Sequence, residues 1–141
     1  MRDRLSPKTT TVRLYRPVGC YEWEKIEALG RRAFPPRLHF QPIFYPVLVL
    51  SYARKIARDW NTVDPQSGYL GIVTEFQVLQ EVASRYPEQI VGDESCRELW
   101  VSAEELAEFN EAIVGKIKIV EVYCGERYVG EPPEPDPGGT G

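Results

Sequence analysis

Four prolines within twelve residues, Pro35, Pro36, Pro42 and Pro46, constrain this 141-residue chain more than any other feature. Each lacks a backbone N–H and fixes φ, so the stretch is excluded from helices and from the middle of a sheet. Pro35-Pro36 predicts an extended or polyproline segment after Ala33-Phe34. Pro42 and Pro46 bracket Ile43-Phe44-Tyr45, which reads as a short strand confined to a sheet edge or an element end. Regular structure must come from the two sides of this segment.

Before it, Thr11 to Tyr15 alternates, with Val12 and Leu14 facing one way and Arg13 and Tyr15 the other, as a strand does. Tyr21 to Leu29 follows with helical spacing of Trp23, Ile26 and Leu29, and Gly30 as its C-terminal cap. After it, Ser51 to Trp60 is amphipathic: Tyr52, Ala53, Ile56, Ala57 and Trp60 mark one side, Arg54, Lys55 and Arg58 the other. Tyr69 to Val78 is the longest strand-like stretch, Leu79 to Tyr86 a short helix or turn, and Glu88 to Val91 a strand. Glu98 then opens the run Leu99-Trp100-Val101. Ser102 and Glu105 predict a capping box for a helix through Leu106, Phe109 and Ile113, stopped by Gly115, before a last strand from Lys116 to Tyr123. That order puts Glu98 at the lip of a strand whose following helix packs back over it. The expected fold is a single α+β domain over 11–124, with short mixed or antiparallel strands and two or three helices. A flexible leader over 1–10 precedes it, and a Pro/Gly/acidic tail over 125–141 is expected to be disordered.

Several function classes are excluded early. The phosphate-binding glycine loops are absent, and a single histidine, His39, supports neither a histidine metal cluster nor a serine triad. No metal is expected. Cys20, Cys96 and Cys124 are odd in number and widely spaced, which points to a reduced, cytoplasmic compartment. No apolar run approaches the roughly 20 residues of a membrane span, so no membrane partner is expected. Charge is divided unevenly. Residues 1–58 hold twelve Lys/Arg against four Asp/Glu, and residues 59–141 hold five against seventeen. The basic half suits an anionic ligand of limited size, or else two solvated faces that attract each other, while the net charge of −4 argues against a nucleic acid.

What remains is a constellation without histidine: Tyr15, Arg16, Arg37, Tyr45, Tyr52 and Glu98. Arginine grips phosphate or carboxylate bidentately, tyrosine offers a ring surface with a polar tip, and a carboxylate stabilises positive charge growing on a sugar carbon. Together these groups fit a ligand with a pyrophosphate, a ring and a ribose. Three stretches, Leu14-Tyr15-Arg16-Pro17-Val18-Gly19, Arg32 to Leu38 and Gln41 to Val47, resemble a family of small bacterial proteins described as ADP-ribosylation/crystallin-type. So do Tyr52 to Asn61 and Glu98 to Asn110, and the likeness spans residues 12–123. The order of parts is also similar to the ADP-ribosyltransferase fold. That resemblance implies an NAD-binding mono-ADP-ribosyltransferase with NAD as substrate and a protein among its possible acceptors. In it Glu98 would be catalytic, Arg16 with Tyr15 would hold the dinucleotide, Tyr45 or Tyr52 would lie beside the nicotinamide, and Arg37 would bind the cofactor. The alternative is a non-catalytic module that retains the fold and meets a protein partner through the Phe34-Pro35-Pro36 ridge. The enzyme reading requires Arg16, a tyrosine and Glu98 to line one cleft.

Overall fold

The computed structural model describes residues 10–137. All of the expected leader but Thr10 lies outside the described residues, and Thr10 accepts a backbone hydrogen bond from Gln80. Three antiparallel strands form the centre: β1 (Thr11–Val18), β3 (Leu70–Leu79) and β7 (Ile113–Cys124), in the order β1-β3-β7. The stretch richest in apolar and β-branched residues takes the middle place, where both faces are covered. Two short antiparallel pairs complete the strands. β2 (Ile43–Phe44) joins β6 (Val101–Ser102), and β4 (Gln89–Ile90) joins β5 (Arg97–Glu98). The helices are α1 (Cys20–Ala28), α2 (Leu50–Asp59), the single turn α3 (Gln80–Ala83) and α4 (Leu106–Glu111). This is a single small α+β domain with four helices among the described residues.

The larger core fills the sheet face of Leu14, Val18, Phe76 and Ile117, under α1, the proline segment and α4. Phe34 lies at its centre, 1% exposed, its ring 4.9 Å from Phe44 and 4.8 Å from Phe76. A residue before proline is pushed to extended backbone and has no helix to satisfy its polar groups. Asn110 supplies them instead: its Oδ1 accepts from Phe34 N at 2.9 Å and its Nδ2 donates to Phe34 O at 3.0 Å. The exposed Phe34-Pro35-Pro36 ridge is therefore corrected, because Phe34 and Pro35 are buried and Pro36 alone is exposed.

The smaller core lies on the opposite face, where α2 presses Ala53 and Ala57 against Val47 and Val73. The approach is close enough that a Cβ on Gly71 would lie 2.1 Å from the Ala57 carbonyl oxygen, so β3 needs glycine there. Trp60 does not join this face. It follows the last turn of α2 and is 70% exposed.

The stretch after Glu98 differs from expectation in two ways. Ser102 makes no side-chain capping bond; a 3-10 turn, Ala103–Glu105, leads into α4. Gly115 does not stop the helix, which ends at Glu111, but sits inside β7 with φ +79 where the pairing register with β3 shifts. It is a bulge glycine. The outer edge of β7 is covered as well. Ile117 N donates to Arg31 O at 2.6 Å, and Asp136 exchanges bonds with Ile119 through its backbone N–H and its carboxylate. The tail 126–137 thus has no regular structure, yet Asp136 also pairs with Arg31 at 3.0 Å and Tyr128 packs against the core. An unpaired edge strand is an aggregation template, which this tail blunts.

Phe34→Ala is expected to cost about 3–5 kcal/mol in denaturant unfolding, since it empties the centre of an aromatic cluster. A loss below about 0.5 kcal/mol, typical of a surface position, would contradict the placement.

Candidate functional site

Val47 builds the site. It is a single residue of extended chain that exchanges both backbone bonds with Tyr15, at 2.8 and 2.7 Å, and bridges to Glu98 on its other side. Leu48 N to Arg97 O (3.0 Å) and Leu99 N to Pro46 O (2.8 Å) close that second side. Tyr15, Val47 and Glu98 are therefore in register, and their side chains share the sheet face that α2 covers. The helix lying over Glu98 is α2, not the one that follows it in sequence.

The next backbone pair along this ladder would be Pro17 with Tyr45. Pro17 has no N–H to give, so the ladder stops and the Tyr45 carbonyl is left free. The Arg16 guanidinium donates to it from NH1 at 3.4 Å. By alternation Arg16 leaves the strand on the face of Leu14 and Val18, opposite to Glu98. The gap at Pro17 is where the two faces meet. There Arg16, Tyr45, Tyr52 and Glu98 line one cavity of about 280 Å³, with Val47 and Ile56 as its apolar wall.

Glu98 is 8% exposed and its two carboxylate oxygens are held separately. Tyr52 donates its hydroxyl to Oε2 at 3.0 Å, and Trp100 donates Nε1 to Oε1 at 2.8 Å. Burial, then the Glu98 charge and hydrogen bond, push the Tyr52 phenol up to about 12. Trp100 also meets Tyr45 edge to face at 6.3 Å. A carboxylate has about four acceptor sites, so the two filled ones leave others for a ligand. Arg16 is 9% exposed and forms a two-pronged pair with Glu22, Nε to Oε2 at 2.7 Å and NH2 to Oε1 at 3.0 Å.

Four of the six sequence-predicted site residues thus come together. Tyr15 does not line the cavity; it packs with Val47, Ala53 and Val73 in the smaller core. Arg37 lies outside it too, in an adjoining cleft of about 480 Å³ that shares Arg16 and Pro17 with it. Trp100 and Glu22 escaped the sequence reading. The two-residue spacing of Glu98 and Trp100, which sets both on one side of an extended chain, was the available signal. The Glu22 pairing comes from the β1–α1 turn and had none. Another concavity, of about 750 Å³ between Thr62 and Arg127, contains none of the predicted residues. Among the described residues no group of three His, Cys, Asp or Glu side chains could hold a metal, and no helix is long and apolar enough to cross a membrane.

Removing the hydroxyl in Tyr52→Phe is expected to lower stability by roughly 1.5–3 kcal/mol, the range for a hydrogen bond to a charged group. The pH dependence has a definite sign. A phenol raised from 10 to about 12 by folding contributes stability that is complete below pH 10 and lost as pH rises through about 12. Wild type should lose more stability than Tyr52→Phe across that window in equilibrium unfolding; parallel losses would contradict the Tyr52–Glu98 contact.

No protein-family model, curated protein or solved structure matches the chain, so the chemistry of the cavity rests on its residues.

Proposed function

We propose that the protein binds NAD and acts as a mono-ADP-ribosyltransferase. The observation that carries this reading is the convergence of Glu98, Tyr52, Tyr45 and Arg16 on one cavity, from three separate stretches of chain. Its volume of about 280 Å³ suits the nicotinamide ring and its ribose, with the rest of the dinucleotide passing Arg16. Tyr45 and Tyr52 provide the ring contact. Glu98, fixed by Tyr52 and Trp100, presents its carboxylate to the ribose.

In the reaction the glycosidic C–N bond breaks and its electron pair leaves with nicotinamide. The positive charge that develops at the ribose C1′ is stabilised by Glu98. A nucleophile of the acceptor then attacks C1′ and releases its proton to solvent. Clamping of the carboxylate by two donors, one of them Tyr52 on α2, is what such pre-organisation needs, since a group already in place costs no rearrangement in the transition state. The three cysteines, unpaired among the described residues, support a cytoplasmic setting.

One observation favours a second reading, a non-catalytic module that retains the fold and binds a protein. Both Glu98 oxygens and the Arg16 fork already have partners inside the chain, so the same cluster serves as an internal clasp between the sheet and α2.

NAD at about 100 times its dissociation constant is expected to stabilise the protein by roughly 2.7 kcal/mol, seen as a rise in Tm. Nicotinamide release by Glu98→Gln should fall at least about a hundredfold while NAD still shifts the Tm. No shift in wild type at millimolar NAD removes the enzyme reading and leaves the module.

A further inference from the structure

The cleft beyond Arg16 holds a cation that the fold does not neutralise. Arg37 lies over Phe44, its guanidinium carbon 5.8 Å from the ring centroid, with that of Arg16 4.6 Å from the same ring. Only one of these two arginines has a carboxylate: Glu22 takes the Arg16 fork on both its oxygens. Among the described residues Arg37 makes no ion pair and no hydrogen bond, and its Nε is buried without a partner. Burial, and then the charge of Arg16, hold its guanidinium below its ordinary value, against a smaller opposite pull from Glu22 and Tyr45. A partly desolvated cation facing another cation is expensive, and natural folds answer it with an anion.

The surroundings say which kind of anion. Lys25, exposed on α1, lines the same cleft with no carboxylate partner among the described residues. Two carboxylates also line the cleft, and both are already engaged: Glu22 by the Arg16 fork, and Asp64 by Gln66 N at 3.0 Å and Ser67 Oγ at 2.9 Å. On the facing wall Asn61 donates Nδ2 to Ser67 Oγ at 2.8 Å, while its Oδ1 is buried without a donor among the described residues. The Ser67 hydroxyl gives its one proton to Asp64 Oδ2 at 2.9 Å, which fixes the amide with its oxygen as the end left over. A carboxylate carries one charge in one plane. A phosphate monoester carries close to two, with oxygens on three sides, which matches cations arriving from α1 and from the proline segment. A ligand hydroxyl would address the polar end of Asn61 as well.

We propose that this cleft binds the phosphate group of a small hydroxylated molecule, held between Arg37 and Lys25. The proposal rests on the cleft alone and not on the chemistry at Glu98. The phosphate belongs either to the dinucleotide itself or to a separate sugar phosphate.

The test is calorimetric titration of the full chain with inorganic phosphate, ribose 5-phosphate and acetate. Saturable binding of both phosphates is expected, ribose 5-phosphate the tighter, with acetate at least about tenfold weaker. Arg37→Gln should weaken ribose 5-phosphate by about tenfold or more, as loss of a charge-assisted contact does, without lowering the Tm of the free protein. Lys25→Gln, at an exposed position that cannot disturb folding, should weaken it by a smaller factor, and Glu98→Gln should leave it unchanged. Absence of saturation at millimolar phosphate, acetate binding as tightly, or affinity indifferent to Arg37→Gln and Lys25→Gln each overturns the proposal. Competition between NAD and ribose 5-phosphate assigns the phosphate to the dinucleotide, and simultaneous binding assigns it to a second molecule. Phosphate binding without NAD binding keeps the cleft and discards the transferase reading.

Discussion

The arrangement depends on a two-sided backbone contact made by one residue. Val47 exchanges bonds with Tyr15 on one side and bridges Glu98 on the other, so it joins the three-stranded sheet to the β4–β5 pair. A lone residue can do this because Pro46 before it cannot donate, and because α2 begins at Leu50, just after it. The same residue anchors the smaller core beneath α2. Backbone pairing and side-chain burial therefore act at one point, and both fix where Glu98 stands. Proline at position 17 ends the ladder one pair further on, and the end of the ladder is the mouth of the cavity.

Two kinds of polar burial occur around that mouth. Glu98 has two neutral donors and Arg16 has a matched carboxylate, so each exchanges water for good internal partners. Arg37 has neither, although it shares the Phe44 ring with Arg16. The first arrangement stiffens the site. The second leaves a demand that the chain itself does not meet, and in small domains such demands are concentrated where a ligand sits.

Much of this was legible in the sequence, and the exceptions share a cause. Helices α1 and α2 and the three long strands follow from local spacing, as does the edge position of Ile43-Phe44 between its prolines. Errors arose where a local signal had a tertiary competitor. Ser102 and Glu105 have the capping-box spacing, but pairing of Ser102 with Ile43 in the β2–β6 pair takes precedence. Gly115 looks like a helix stop, yet the register of β7 against β3 uses it as a bulge. Phe34 looked exposed because prolines follow it, and the side chain that rescues its backbone, Asn110, is 76 residues away. At the candidate site, residue types singled out Arg16, Tyr45, Tyr52 and Glu98, which line one cavity. Tyr15 packs in the smaller core instead, because register, not composition, decides which neighbours it meets.

The uneven charge distribution had two sequence readings, and the fold divides them. Several cations of the basic half find carboxylates in the acidic half: Arg54 with Glu121, Arg31 with Asp136 and, more loosely at 3.8 Å, Arg13 with Glu75. To that extent the asymmetry is two faces attracting each other, at the modest gain of partly exposed pairs. Arg16 is answered within its own half by Glu22. Among the described residues of that half Lys25, Arg32, Arg37 and Lys55 have no ion pair, and two of them line one cleft. Arg37 from the proline segment and Lys25 from α1 both line the cleft beyond Arg16. Folding thus gathers part of that excess into a local field of small extent. A field of that size selects a small anion rather than a polyanion, because a polyanion needs cations repeated along a surface.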